Sequence, residues 1–175
     1  MQNGLYRVDV VSDTHGSLSD ALLEQLRGAD LIVHAGDFCS PSNYRTLCDI
    51  ARVEACLGNN DYEDYGSAVK RKTSFKYQGL WWQVCHYEER LDLMVCDIAV
   101  CGHTHRPFVR QEGSKWIVNP GSPTFPRSST GPSMARMLIK PPTDPQGKGT
   151  VESAEVIRLL PEEEEYSPWA RFFRR

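Results

Sequence analysis

Hydrophobic and polar positions follow two periods in the first third of the chain. Leu5–Ser12 (LYRVDVVS) has the β-branched content of a buried strand, and Leu18–Leu26 (LSDALLEQL) sets Leu18, Leu22, Leu23 and Leu26 at helical spacing. Leu31–Ala35 reads as a second buried strand. Asn43–Ala51 (NYRTLCDIA) reads as a second helix opened by Pro41 and Ser42, and Arg52–Leu57 as a third strand. The resulting β-α-β-α-β run predicts parallel strands with right-handed crossovers.

After Tyr65 the pattern changes to strands joined by tight turns. Lys72–Tyr77 and Leu80–His86 flank Gln78-Gly79 as a hairpin, and Phe108–Gln111 and Lys115–Asn119 flank Glu112-Gly113-Ser114 as another. Between them Glu88–Val95 is partly helical and leads into strand Asp97–Cys101. Met134–Lys140 and Val151–Leu159 form a last hairpin across a Pro/Gly-rich loop, PPTDPQGKGT, expected to be mobile. Trp81 and Trp82 alternate faces, so one should be partly exposed. A parallel half followed by a meander predicts two sheets packed face to face with helices outside, in one domain of residues 1–160. Residues 161–175 form a tail, acidic at Glu162–Glu165, then aromatic and basic, with Trp169, Phe172 and Phe173 among Arg171, Arg174 and Arg175. It reads as a solvated terminus, with a docking segment for a partner or a second copy as the alternative.

Composition narrows the function classes. The 175 residues carry 20 Lys+Arg against 23 Asp+Glu, a net charge of −3, which excludes a broad basic surface and long nucleic acid as partner. No apolar run reaches membrane-span length, and Met1–Arg7 lacks the charged-then-apolar pattern of a signal peptide, so the expected compartment is the cytoplasm, with no membrane partner. The six cysteines show no CxxC pair and read as reduced thiols; Cys85 and Cys101 lie beside motifs but are expected to be small buried hydrophobes.

All five histidines lie in or beside compact motifs: His15 in SDTHG, His34 in HAGDF, His86 in VCHYE, and His103 and His105 in CGHTHRP. Asp13 and His15 follow a buried strand at spacing i, i+2, and extended residues two apart aim at one point. His103 and His105 repeat the device. Asp37 follows a strand across Gly36, and Asn59 another across Gly58, which places several donors at the C-terminal ends of different strands, where open α/β sheets build sites. Two carboxylates, four imidazoles and an amide oxygen form a mixed N/O set suited to Mn, Fe, Zn, Ni or Co, and too large for one ion. A pair of ions sharing one carboxylate would use it, and the chemistry such a pair supports is phosphate ester hydrolysis. His34 reads as structural.

Taken in order, Asp13-Thr14-His15, Gly36-Asp37, Gly58-Asn59-Asn60-Asp61, His86 and Gly102-His103-Thr104-His105 resemble the metal-binding motifs of the calcineurin-like metallophosphoesterases. Asn119-Pro120-Gly121-Ser122-Pro123 with Arg127 resembles the signature of their small bacterial and archaeal phosphodiesterase branch. The resemblance spans Val8 to Arg127. It implies a four-layer α/β/β/α sandwich of two packed mixed sheets with flanking helices. It also implies that Asp13, His15, Asp37 and His105 hold one metal ion, and that Asp37, as the bridge, holds a second with Asn59, His86 and His103. Manganese is the implied ion, with Fe, Zn, Ni, Co or Mg as alternatives.

The implied activity is that of a phosphodiesterase on a small phosphate ester, with a metal-bridging hydroxide attacking phosphorus. The rival is a non-catalytic protein-binding scaffold on the same fold, with the tail as its support. Two departures from the family pattern stand out. Asn60 occupies a position where many members carry a histidine, so it is expected to donate a hydrogen bond to a phosphoryl oxygen and not a proton. Tyr87 stands where the family usually has glycine and is expected to narrow the pocket. Asp61 is expected to orient a ligand or water from behind, and Arg127 to add a phosphate contact.

Overall fold

The computed structural model describes residues 4–159; the expectations for the tail lie outside the described residues. Strands β1 (Tyr6–Val11), β2 (Leu31–His34) and β3 (Val53–Ala55) run parallel, with Val8 opposite Leu31 and Ile32 opposite Val53. β9 (Ser133–Lys140) pairs antiparallel with β1 on its other side and carries β10 (Thr150–Arg158), giving the sheet order β10-β9-β1-β2-β3. The crossovers are α1 (Asp20–Leu26) and α2 (Pro41–Ile50). Capping sets where each starts: the Ser19 hydroxyl accepts from the Leu22 amide, and the Ser40 hydroxyl from that of Asn43. α2 therefore begins at Pro41, whose missing N–H costs nothing in a first turn, two residues before the periodicity implies.

The second sheet has the order β4 (Lys72–Tyr77), β5 (Leu80–Cys85), β6 (Ile98–Val100), β8 (Lys115–Asn119), β7 (Phe108–Glu112). The two hairpins form as expected, but the half is not a meander: β5, β6 and β8 are mutually parallel, so this sheet is mixed as well. The sheets face one another across Val8, Val10, Leu31, Val33, Trp82, Val84, Ile98, Val100, Met137 and Ile139, all fully buried. Trp82 points into this layer while Trp81 is 46% exposed. Val11, Ile32 and Met134 point the other way, against Leu22, Leu26 and Leu47 of the helices. On the far side of the second sheet, Ala99 and Ile117 are covered by Leu91 and Leu93, which follow a single 3-10 turn, Glu88–Arg90.

The Pro/Gly-rich loop before β10 is fastened at its end: Lys148 bonds both Asp97 oxygens (2.9 and 3.1 Å), and the Gly149 amide donates to Gln78 O. Among the described residues no helix is long and apolar enough to cross a membrane. The arrangement brings the loops after β1, β2, β3, β5, β6 and β8 to one edge of the sandwich.

Candidate metal centre

These loops turn abruptly. Among the described residues, the non-glycine positions with positive φ are Asp13, His15, Asp37, Cys39, Gln78, His103 and His105 (44° to 66°). Five of them are predicted ligands, and left-handed backbone at non-glycine residues persists only where surrounding structure enforces it. Asp13 and His15 thus converge through left-handed turns and not through an extended segment, and so do His103 and His105. The enforcement is visible in the contacts. The Asp13 amide donates to Gly36 O and the His15 amide to Asp37 O, while the Ser122 and Thr124 hydroxyls both bond Asp13 O. Glycine is required where the loops cross: a Cβ on Gly58 would overlap the Asp37 carboxylate, and one on Gly102 the Ser12 hydroxyl.

The donor atoms meet in a small volume. Asp13 Oδ1 lies 3.2 Å from His105 Nε2 and 3.9 Å from both His15 Nε2 and His86 Nε2. Asp37 Oδ2 lies 3.7 Å from His15 Nε2 and 3.6 Å from His86 Nε2. Asn59 Oδ1 is approached by His86 Nε2 at 3.1 Å and His103 Nδ1 at 3.0 Å. Two combinations, Asp13-His15-His105 and Asp13-Asp37-His86, are close enough to share an ion.

The hydrogen bonds behind the rings decide what those atoms carry. His86 Nδ1 donates to Ala35 O at 2.7 Å and His105 Nδ1 to Phe125 O at 2.6 Å, so in each neutral ring the lone pair is on Nε2, the atom aimed inward. Lone pairs on nitrogen therefore face lone pairs on Asp13 and Asn59, a repulsive arrangement that a cation removes. Asp13 Oδ1 is buried and has no hydrogen-bond partner, although buried acceptors are nearly always satisfied. Burial works to raise the Asp13 pKa, but His105, His86 and the Ser12 hydroxyl outweigh it and hold the carboxyl below its usual range. The residues fit a divalent metal centre.

A model of the calcineurin-like phosphoesterase superfamily domain matches residues 7–141. The chain belongs to this superfamily. A probable metallophosphoesterase of Methanothermobacter thermautotrophicus is 33% identical over 167 residues, covering 86% of this chain and 91% of that protein. Another, from Methanocaldococcus jannaschii, is 33% identical over 141 residues and covers 71% of each. Among solved structures, the Escherichia coli phosphoesterase YfcE aligns over 88% of this chain and all of its own (TM-score 0.60, 21% identity). Vacuolar protein sorting 29 of Cryptosporidium parvum aligns over 89% of this chain and all of its own (TM-score 0.68, 18% identity). These structures share the fold of this phosphoesterase-superfamily chain, and the family binds divalent metals.

All seven predicted ligands come together in this family member; the residues around them are arranged less predictably. Asn60 donates twice to Asp37, from the backbone N–H to Oδ1 at 2.8 Å and from the side-chain amide to Oδ2 at 2.7 Å. It holds a ligand carboxylate and does not point its amide at open space. Asp61 is buried and accepts from the amides of Asp37, Gly58 and Cys39 and from the Tyr65 hydroxyl, which ties the β2 and β3 loops together. Arg127 lies with Thr124, Phe125 and Pro126 around a concavity of about 600 Å³ that opens on His15 and His105. His34 is fully buried and stacked on Phe38 at 3.5 Å, and burial pushes its pKa down to about 3, so it stays neutral. Cys85 and Cys101 are buried and bond backbone carbonyls.

Two residues that the motifs did not single out support the histidines. Phe125 supplies the carbonyl for His105 and packs its ring edge-on against His15 at 5.5 Å. Cys39 Sγ lies 3.7 Å from His15 Nδ1. The positive φ of Cys39 is invisible in sequence, but its place two residues after Asp37 repeats the i, i+2 spacing of the ligand pairs.

Proposed function

We propose that the chain is a metal-dependent phosphodiesterase for small phosphate esters. The observation that carries this reading is the convergence of imidazole nitrogens from His105, His15 and His86 on the buried, unpartnered Asp13 Oδ1. In this reading Asp13, His15, Asp37 and His105 hold one ion and Asp37, Asn59, His86 and His103 a second, Mn²⁺ being the first to try. Such a pair of ions lowers the pKa of bound water to near 7 and draws charge from phosphoryl oxygens. The chain's own part is to hold the donors still: Ala35 and Phe125 fix two imidazoles by their carbonyls, Asn60 fixes Asp37, and Asp61 fixes the turns behind them. Arg127, at the rim of the concavity, meets an ester phosphate with a forked pair of donors. A volume of about 600 Å³ suits a small ester, and the net charge of −3 disfavours a long polyanion.

The reading is tested by hydrolysis of bis(4-nitrophenyl) phosphate and 4-nitrophenyl phosphate by chelator-stripped protein supplied with Mn²⁺. Restored turnover with the diester ahead is expected. Metal binding without turnover on either ester would instead favour a protein-binding scaffold.

A further inference from the structure

We infer that Tyr87 is a substrate-contacting residue whose phenolic O–H donates a hydrogen bond to the phosphoryl group on the Asn59 side of the cluster. The inference rests on the phosphoesterase reading and adds to it a donor that the ligand set does not contain.

A phosphoryl group gaining negative charge in its transition state is stabilised by fixed donors aimed at its oxygens. On the His15–His105 side Arg127 and the Phe125 loop line the opening. On the other side Asn60, the neighbour of Asn59, has its backbone N–H and its side-chain amide bonded to the two oxygens of Asp37. One side-chain amide hydrogen of Asn60 is left over, and the hydroxyl of Tyr87 is a second group in contact with the Asn59 side that carries a hydrogen to give.

Its present acceptor is one that a bound substrate site would withdraw. The Tyr87 O–H donates to Asn59 Oδ1 at 3.3 Å, a longer contact than the 3.1 and 3.0 Å approaches of His86 and His103 to the same atom. His86 Nε2 brings a lone pair and not a hydrogen to that oxygen, and of the three contacts the phenol's is the longest. When Asn59 Oδ1 serves a cation it becomes a poorer acceptor for the phenol hydrogen, and a charged phosphoryl oxygen placed there is a stronger one.

The ring is also held as a catalytic donor needs to be. It packs against His103 at 4.5 Å and edge-on to His86 at 5.4 Å, while the Arg90 guanidinium lies 4.7 Å from its centroid. The Arg90 amide donates to Tyr87 O in the 3-10 turn that fixes both residues. Tyr87 is only partly buried. The bulk of this side chain beside the ligands is therefore a functional group and not only a narrowing of the pocket.

Tyr87→Phe keeps the ring and its packing and removes only the hydroxyl. In the Mn²⁺-loaded protein we expect kcat on bis(4-nitrophenyl) phosphate to fall roughly 100-fold, the loss typical of one transition-state donor. Inhibition by orthovanadate, which mimics the five-coordinate phosphorus, should weaken in parallel, with Mn²⁺ affinity by calorimetry unchanged. Lowered Mn²⁺ affinity with normal kcat at saturating metal would overturn the inference, since Tyr87 would then merely position Asn59. Unchanged kcat and unchanged orthovanadate inhibition would overturn it as well. If the unmodified protein hydrolyses neither nitrophenyl ester with any divalent ion, the phosphoesterase reading itself fails and the inference falls with it.

Discussion

On one side of the donor cluster His105 is 4% exposed and bonded through Nδ1 to a backbone carbonyl, and His15 is wedged between Cys39 and Phe125. On the other side His86 is equally buried and bonded through Nδ1 to the Ala35 carbonyl, but His103 is exposed, and among the described residues its ring is held by Asn59, Tyr87 and His86. The first side offers a buried carboxylate oxygen with no partner, the second a neutral amide oxygen already shared among three groups. Ligands fixed by a second hydrogen bond lose less freedom when they bind, and a carboxylate attracts a cation more strongly than an amide. The same fold edge has thus produced a stiff, charged half that should bind its ion tightly and a looser half that should exchange it.

The carboxylates between the halves give the largest expected effect. Asp37 touches both sides through one oxygen, so Asp37→Ala should remove both ions and lower activity more than roughly 10³-fold, beyond the loss of a single transition-state donor. Retention of two bound ions, measured by elemental analysis of the purified variant, would show that the halves do not share it.

Next in size is the contrast between single histidines. His15→Ala should abolish tight Mn²⁺ binding, whereas His103→Ala should weaken only the second ion, by about 10–100-fold, with the first retained. Equal losses in calorimetric titrations of the two variants would erase the distinction between the halves.

A smaller effect concerns protons. The Asp13 carboxylate raises the pKa of His105 above its ordinary 6.5, against the opposing effect of burial, so an ion entering the stiff half must displace a proton held more firmly than by free imidazole. Mn²⁺ affinity of this half should therefore fall as pH drops, beginning above 6.5, and His105→Ala should abolish that steep pH dependence along with most of the binding.

A last effect lies outside the cluster. His34 keeps a pKa of about 3 in the folded chain against 6.5 when unfolded. Below 6.5 the unfolded chain binds a proton that the folded chain refuses, so stability is full above that pH and is lost as pH falls toward 3, at about 1.4 kcal/mol per pH unit. Urea unfolding in excess chelator should show that slope reduced in His34→Gln.

Much of this was legible in the sequence, for identifiable reasons. Continuous β-branched runs located β1 and β2, which are buried on both faces, helical spacing located α1 through its buried Leu22 and Leu26, and the Gln78-Gly79 turn located its hairpin. The parallel placement of β6 beside β5 and β8 was not legible, because strand order within a sheet is set by long-range packing that no local period records. The ligands were legible as residue types ordered along the chain. What aims them was not: left-handed φ at Asp13 and His15 is held by the carbonyls of Gly36 and Asp37, and that at Asp37 and His103 by the carboxylates of Asp61 and Asp13, pairings across the fold that have no local signature in a sequence. Asn60 shows the same limit, since its residue type allowed a substrate contact while the fold turned its amide onto Asp37.

The most direct test of the two-ion phosphoesterase account is a calorimetric titration of chelator-stripped protein with Mn²⁺, with hydrolysis of bis(4-nitrophenyl) phosphate followed on the same samples. The account predicts two resolved binding steps, tight then weak, with turnover rising on the second. A single step that already gives full turnover, or two steps with no turnover, would contradict it.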